Sequence, residues 1–225
     1  MVIPQQEQNP YQQGKVLLID KPLYWTSFDV IKKIRHLIHI KKVGHAGTLD
    51  PLATGLLIVC TGKFTKRINE YMAKEKEYIG TFTLGATTAT YDLESEPIPN
   101  NVYENIGIEE LKKIAETFTG NIMQMPPAHS AIKKNGKRAY ALARQGKEVQ
   151  LEPRPITIYS FLITQYEPPI VHFKVTCSTG TYIRSLANDF GKALRCGAYL
   201  SSLRRTRIGE FSVSDAVSTS WLNSQ

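Results

Sequence analysis

A chain of 225 residues with 42% hydrophobic and 21% charged residues can bury a sizeable core and is composed like a folded globular protein, which excludes a disordered or fibrous class. It has no apolar run near the ~20 residues of a membrane span, and Met1 to Gln13 lacks the charged-then-apolar pattern of a signal peptide, so no membrane partner is expected and the expected compartment is the cytoplasm. The net charge of +8 suits a polyanionic partner and equally a solubilising surface, while Cys60, Cys177 and Cys196, with no C-x-x-C pair, read as reduced core thiols and exclude a disulfide framework or zinc site.

In chain order, residues 1–14 are expected to form a loose polar tail and 15–225 a single domain. Val16-Leu17-Leu18-Ile19 reads as a short strand ended by Asp20-Lys21-Pro22. Val30, Ile31, Ile34, Leu37 and Ile38 recur at helical spacing, with Ser27 as the expected N-cap and a basic face from Lys32, Lys33 and Arg35. A loop from Gly44 to Gly55 follows, then a buried strand at Leu56–Cys60 and a helix over 61–74 with Thr65 at its cap. Tyr78 to Leu84 alternates like a half-buried strand, 86–101 is rich in turns, and Ile108 to Phe118 is an amphipathic helix closed by Gly120. The 126–150 stretch carries Lys133, Lys134, Lys137, Arg138, Arg144 and Lys147, and reads as a basic surface insertion. Strands return at 156–164 and 171–177, a helix at 182–194 and a basic strand near 199–208. Without a regular βαβ rhythm, the expected fold class is α+β, with a mixed, mainly antiparallel sheet flanked by helices.

The richest local pattern is Gly44-His45-Ala46-Gly47-Thr48-Leu49-Asp50-Pro51-Leu52-Ala53-Thr54-Gly55. Asp50 there is either a turn carboxylate bonding nearby backbone N–H groups or a reactive carboxylate on a loop whose glycines let backbone approach a ligand. Arg184, between Ile183 and Leu186, is either a surface arginine or a bidentate clamp on a carboxylate, with Asp50 the natural candidate. Tyr78 is either core packing or a ring that stacks on a base or moves a proton. The stretch 128–140, with Lys133, is either a solvated basic loop or a phosphate-tracking surface.

In this order the blocks resemble one family. Leu17-Leu18-Ile19-Asp20-Lys21-Pro22, Gly44 to Gly55, Thr61-Gly62, Thr65-Lys66, Lys76-Glu77-Tyr78, Pro126-Pro127 to Gly146, Cys177 to Arg184 and Leu203-Arg204-Arg205 are similar to the TruB-type tRNA pseudouridine synthases. The resemblance runs from about Lys15 to Phe211. It implies a pseudouridine-synthase-like fold and isomerisation of the T-loop uridine at tRNA position 55, with no metal and no organic cofactor. It makes Asp50 the nucleophile, pairs Arg184 with it, sets Tyr78 on the uracil and Tyr182 in the same pocket. It gives the flipped base a helper in His45, a loop support in Lys21, and RNA contacts in Lys66, Leu203 and Lys133. The implied partner is the T arm of tRNA, with the chain a monomer needing no protein partner.

Two departures from the family pattern stand out. Ala89 and Ser95 occupy positions where many members carry Asp and Gly, and, with the last residue at Gln225, no C-terminal PUA-type domain like that of many relatives is expected. Three other functions compete: a tRNA-folding factor that binds without catalysis, a hydrolase using His45 with Asp50, and a guide-RNA-dependent relative acting on ribosomal RNA. The lack of a second carboxylate or an oxyanion loop speaks against the hydrolase.

Overall fold

The computed structural model describes residues 9–100, 103–128 and 151–218, and the backbone alone of 133–134 and 137–138. Most of the expected basic insertion, including the Lys133 side chain, therefore lies outside the described residues. The secondary structure is mixed, with a mainly antiparallel sheet flanked by helices. The chain divides into two compact units, Met1–Lys76 with Arg204–Gln225, and Glu77–Leu203.

The first unit begins with one helical turn, α1 (Pro10–Gln13), within the expected loose tail. Pro10 is pre-set for a helix start, Asn9 caps it by accepting from the Tyr11 N–H, and the Thr61 hydroxyl donates to the Tyr11 carbonyl. Strand β1 (Val16–Lys21) leads to α2 (Ser27–Ile38), β2 (Val43–His45), β3 (Ala53–Thr61), a 3₁₀ turn (Gly62–Arg67) and α3 (Ile68–Ala73). β1 runs antiparallel to β3, Val16 opposite Cys60 and Lys21 opposite Gly55, and β2 also pairs with β3. The last residues of β12 (Ala198–Ile208) complete this sheet, with β13 (Phe211–Ser212) on its edge.

Helix α2 buries Val30, Ile31 and Ile34 against Ile19, Leu57, Val59 and Val43. Each such side chain contributes about 2 kcal/mol of burial, which fixes the helix rotation. Its N-cap is Thr26, not Ser27: Thr26 accepts from the Asp29 N–H while Asp29 accepts from the Thr26 N–H, a reciprocal capping box. The expected 61–74 helix is also corrected. β3 runs through Thr61, the 3₁₀ turn intervenes, and Thr65 donates its hydroxyl back to the Gly62 carbonyl instead of capping a helix.

The second unit holds β4 (Lys76–Leu84, from Glu77 onward), a short pair β5 (Ala86–Thr87) and β6 (Ile98–Pro99), α4 (Ile108–Thr117) and β7 (Gly120–Gln124). β8 (Lys133–Lys134) and β9 (Lys137–Arg138) pair antiparallel as a two-stranded sheet. Then come β10 (Arg154–Glu167), β11 (Ile170–Cys177) and α5 (Ile183–Ala193). The sheet order here is β12-β4-β11-β10-β7. Phe82 stacks on Phe173 at 4.2 Å between ring centroids, and Phe161 and Phe190 close the cluster edge-on or tilted. Gly120, expected to close α4, opens β7, a strand the sequence reading left unassigned. Cys60, Cys177 and Cys196 are free and buried.

Candidate active site

In the first unit the Asp50 loop is held from several sides. Leu49 is buried, and its backbone makes two hydrogen bonds with one side chain: the Leu49 N–H donates to the Ser27 hydroxyl at 2.9 Å and its carbonyl accepts from that hydroxyl at 3.1 Å. On the other side, the Ala53 N–H donates to the Asp50 carbonyl and the Tyr24 N–H to the Pro51 carbonyl. Asp50 is itself half-buried. A carboxylate flanked by anchored backbone on both sides loses little entropy when it meets a substrate.

Arg205, 1% exposed, is the largest fully buried side chain of the described residues. Its Nε donates to the Leu56 carbonyl at 2.7 Å and an Nη to the Gly47 carbonyl at 3.1 Å, so it bridges the start of the loop to β3. Gly55 is what lets β12 approach: its φ is +101°, and a Cβ there would collide with the Arg205 backbone. Arg204, beside it, makes a two-point ion pair with Asp20 at 3.0 and 2.7 Å and reaches the Thr54 hydroxyl.

Lys21 is fully buried. Its ammonium donates to the Pro22 carbonyl at 2.9 Å and also to the Trp25 and Pro51 carbonyls. Burial pushes its pKa down to about 8, against the opposing pull of the Asp50 charge. The expected loop support is thus a cation close to the carboxylate. His45, on β2, has its pKa lowered by burial and by the Arg205 charge, which favours the neutral imidazole; its Nδ1 is buried with no hydrogen-bond partner among the described residues. Lys66 projects into solvent from the 3₁₀ turn.

In the second unit Tyr78 is buried on β4. Arg184, 5% exposed at the start of α5, places one Nη 3.5 Å from the Asp92 carboxylate and 3.4 Å from the Thr90 carbonyl. Asp92 was not among the expected site residues. Its loop is tied by Ser95, whose hydroxyl accepts from the Thr90 N–H at 3.0 Å and meets the Thr90 hydroxyl, while Asp92 accepts from the Glu94 N–H. Ser95, which with Ala89 departs from the family pattern, thus supplies this turn's fastening. Tyr182 caps α5, exchanging two backbone bonds with the Gln124 amide. Leu203 is half-buried on β12. Sequence reasoning missed Ser27, Gln124, Asp92 and Arg205; the adjacent Arg204-Arg205 pair was the one available signal among them.

This chain superposes on a chain in the crystal structure of a Cbf5–Nop10–Gar1 complex with a TM-score of 0.71 at 29% identity, covering 92% of this chain and 53% of that one. A chain in a structure of an H/ACA RNP bound to a substrate RNA containing 2′-deoxyuridine gives 0.69 at 27% identity, with 93% and 52% covered. The present chain therefore spans about half the length of those solved chains. The fold is of the pseudouridine-synthase class. Residues 35–183 match the profile of the TruB family pseudouridylate synthase N-terminal domain, and 184–224 that of the tRNA pseudouridylate synthase B C-terminal domain. The tRNA pseudouridine synthase B of Flavobacterium johnsoniae is 51% identical over 214 residues, 92% of this chain and 93% of that protein. That of Phocaeicola vulgatus is 48% identical over 225 residues, 96% of each. The chain belongs to the TruB family of pseudouridylate synthases.

Proposed function

We propose that this protein is the isomerase that converts the T-loop uridine at position 55 of tRNA into pseudouridine, with Asp50 as nucleophile on a base flipped out of its stack. In that reaction the N1–C1′ bond breaks, the uracil turns, a C5–C1′ bond forms, C5 loses a proton while N1 gains one, and the bond made by Asp50 is broken again to free the carboxylate. The observation that carries the reading is the two-sided anchoring of Asp50 through Leu49 and Pro51 in a chain of this family. Family membership supports the further roles: Tyr78 against the uracil, Arg184 keeping Asp50 ionised, Tyr182 and Leu203 lining the pocket, His45 filling the space the base leaves. Lys66 and Lys133 are assigned to the RNA backbone, and both units serve one catalytic domain over 15–225.

The test is tritium release from C5-labelled uridine in a transcribed T-arm stem-loop. Release by wild type and none by Asp50→Asn, with binding retained, is the expected result. Tight binding without release by wild type would move the protein to the tRNA-folding class and overturn the assignment.

A further inference from the structure

Beside the Asp50 loop lies a groove of about 580 Å³ lined by Tyr24, Trp25, Asp29, Lys32, Lys33 and His36. We propose that it is a single-strand platform that seats an unpaired nucleotide of the substrate RNA. The proposal rests on RNA being the substrate and adds a binding determinant that the sequence reading did not contain.

Four features of the groove point to this occupant. Tyr24 is 75% exposed, and Phe28, the residue before Asp29 in the chain, 61%. Trp25 packs partly against the core, so one ring is anchored while the groove side is open. Flat faces of this kind take a base by stacking whatever its identity. Next to them stand the ammonium groups of Lys32 and Lys33, with His36 a turn further on, suited to phosphate. The lone carboxylate, Asp29, is engaged in the capping box and accepts from Thr26. A protein-binding patch would have a core depleted in lysine; here two lysines line the groove together with two aromatic rings.

The fourth feature is backbone conformation. Tyr24 adopts φ +66°, a left-handed state that a bulky residue rarely holds, and its N–H is pinned to the Pro51 carbonyl, one residue from Asp50. The strain turns a large ring outward at the edge of the loop that carries the nucleophile. A nucleotide stacked there is tethered to the same backbone segment that aims Asp50.

The chain has two tryptophans, so Trp221→Phe leaves Trp25 as the reporter. In that background, titration with transcribed tRNA is expected to quench Trp25 fluorescence. Tyr24→Asn removes the ring at a conformation asparagine tolerates, and Phe28→Ala removes an exposed ring; each is expected to weaken binding about tenfold. Lys32→Gln with Lys33→Gln is expected to flatten the salt dependence of log K by about 1.5. Unchanged quenching, affinity and salt slope in these variants, with wild-type tritium release intact, would overturn the platform alone. Sedimentation showing a dimer that Tyr24→Asn dissolves would overturn it in favour of a second copy in the groove. Failure of wild type to bind or turn over RNA would overturn the functional reading and the platform with it.

Discussion

Ser27 shows what one hydroxyl can do beside Asp50. It is 2% exposed and holds both backbone groups of Leu49. Ser27→Ala leaves a buried N–H and a carbonyl unpaired, which costs about 1–3 kcal/mol, and it frees the residue before Asp50. Thermal unfolding is expected to report that loss, and single-turnover rates a larger drop than the stability change implies. Arg184 makes a second case. One Nη of its guanidinium meets both Thr90 and Asp92 inside one unit, and the ammonium of Arg184→Lys lacks the further nitrogens that the proposed pairing with Asp50 calls on. Most activity should vanish in that variant with the fold retained by circular dichroism; near-normal turnover would sink the role. The Asp50 loop could be read directly because its glycines, proline and aspartate are local. Ser27, Arg184 and Arg205 could not, because their partners lie 22, 94 and 149 residues away.

At the level of elements, β3 and β12 depend on the absence of a side chain. Gly55→Ala would combine a left-handed backbone with a collision against Arg205, and a loss of at least about 2 kcal/mol is expected in urea unfolding. The Asp20–Arg204 pair joins β1 to β12 while half-open to water. Asp20→Asn should therefore cost no more than about 1 kcal/mol, and less in high salt. The long elements were legible because burial imposes period: α2 on Val30, Ile31 and Ile34, and β11 on strict alternation. The missed strand β7 also alternates, Asn121 and Met123 outward against Gln124 inward, but five residues opened by a glycine gave little to read. The cap of α2 was misplaced by one residue because Thr26 and Ser27 are both competent caps. The Asp29 carboxylate, three residues after Thr26, decides between them.

One pH response of the whole molecule belongs to Lys21. Burial lowers its pKa from 10.5 to about 8. Below that value it is protonated in both folded and unfolded chains. Between about 8 and 10.5 the unfolded chain keeps a proton the folded chain has released, so rising pH favours folding. Unfolding free energy is expected to climb across this window more steeply in wild type than in Lys21→Met; equal slopes would refute the assignment. Fold class was accessible from pattern alone, but the division into a continuous unit, 77–203, and one assembled from both ends of the chain was not. It depends on which strands β12 joins, a long-range pairing that no local period encodes.

That discontinuity has a consequence during synthesis. The middle unit can fold as it leaves the ribosome, since its residues emerge in one run. The Asp50 loop cannot be finished then, because the arginine that bridges Gly47 to Leu56 is translated 149 residues after Leu56. A nascent chain carries Asp50 long before it carries the brace, so the finished loop arrives as a late, single event in translation.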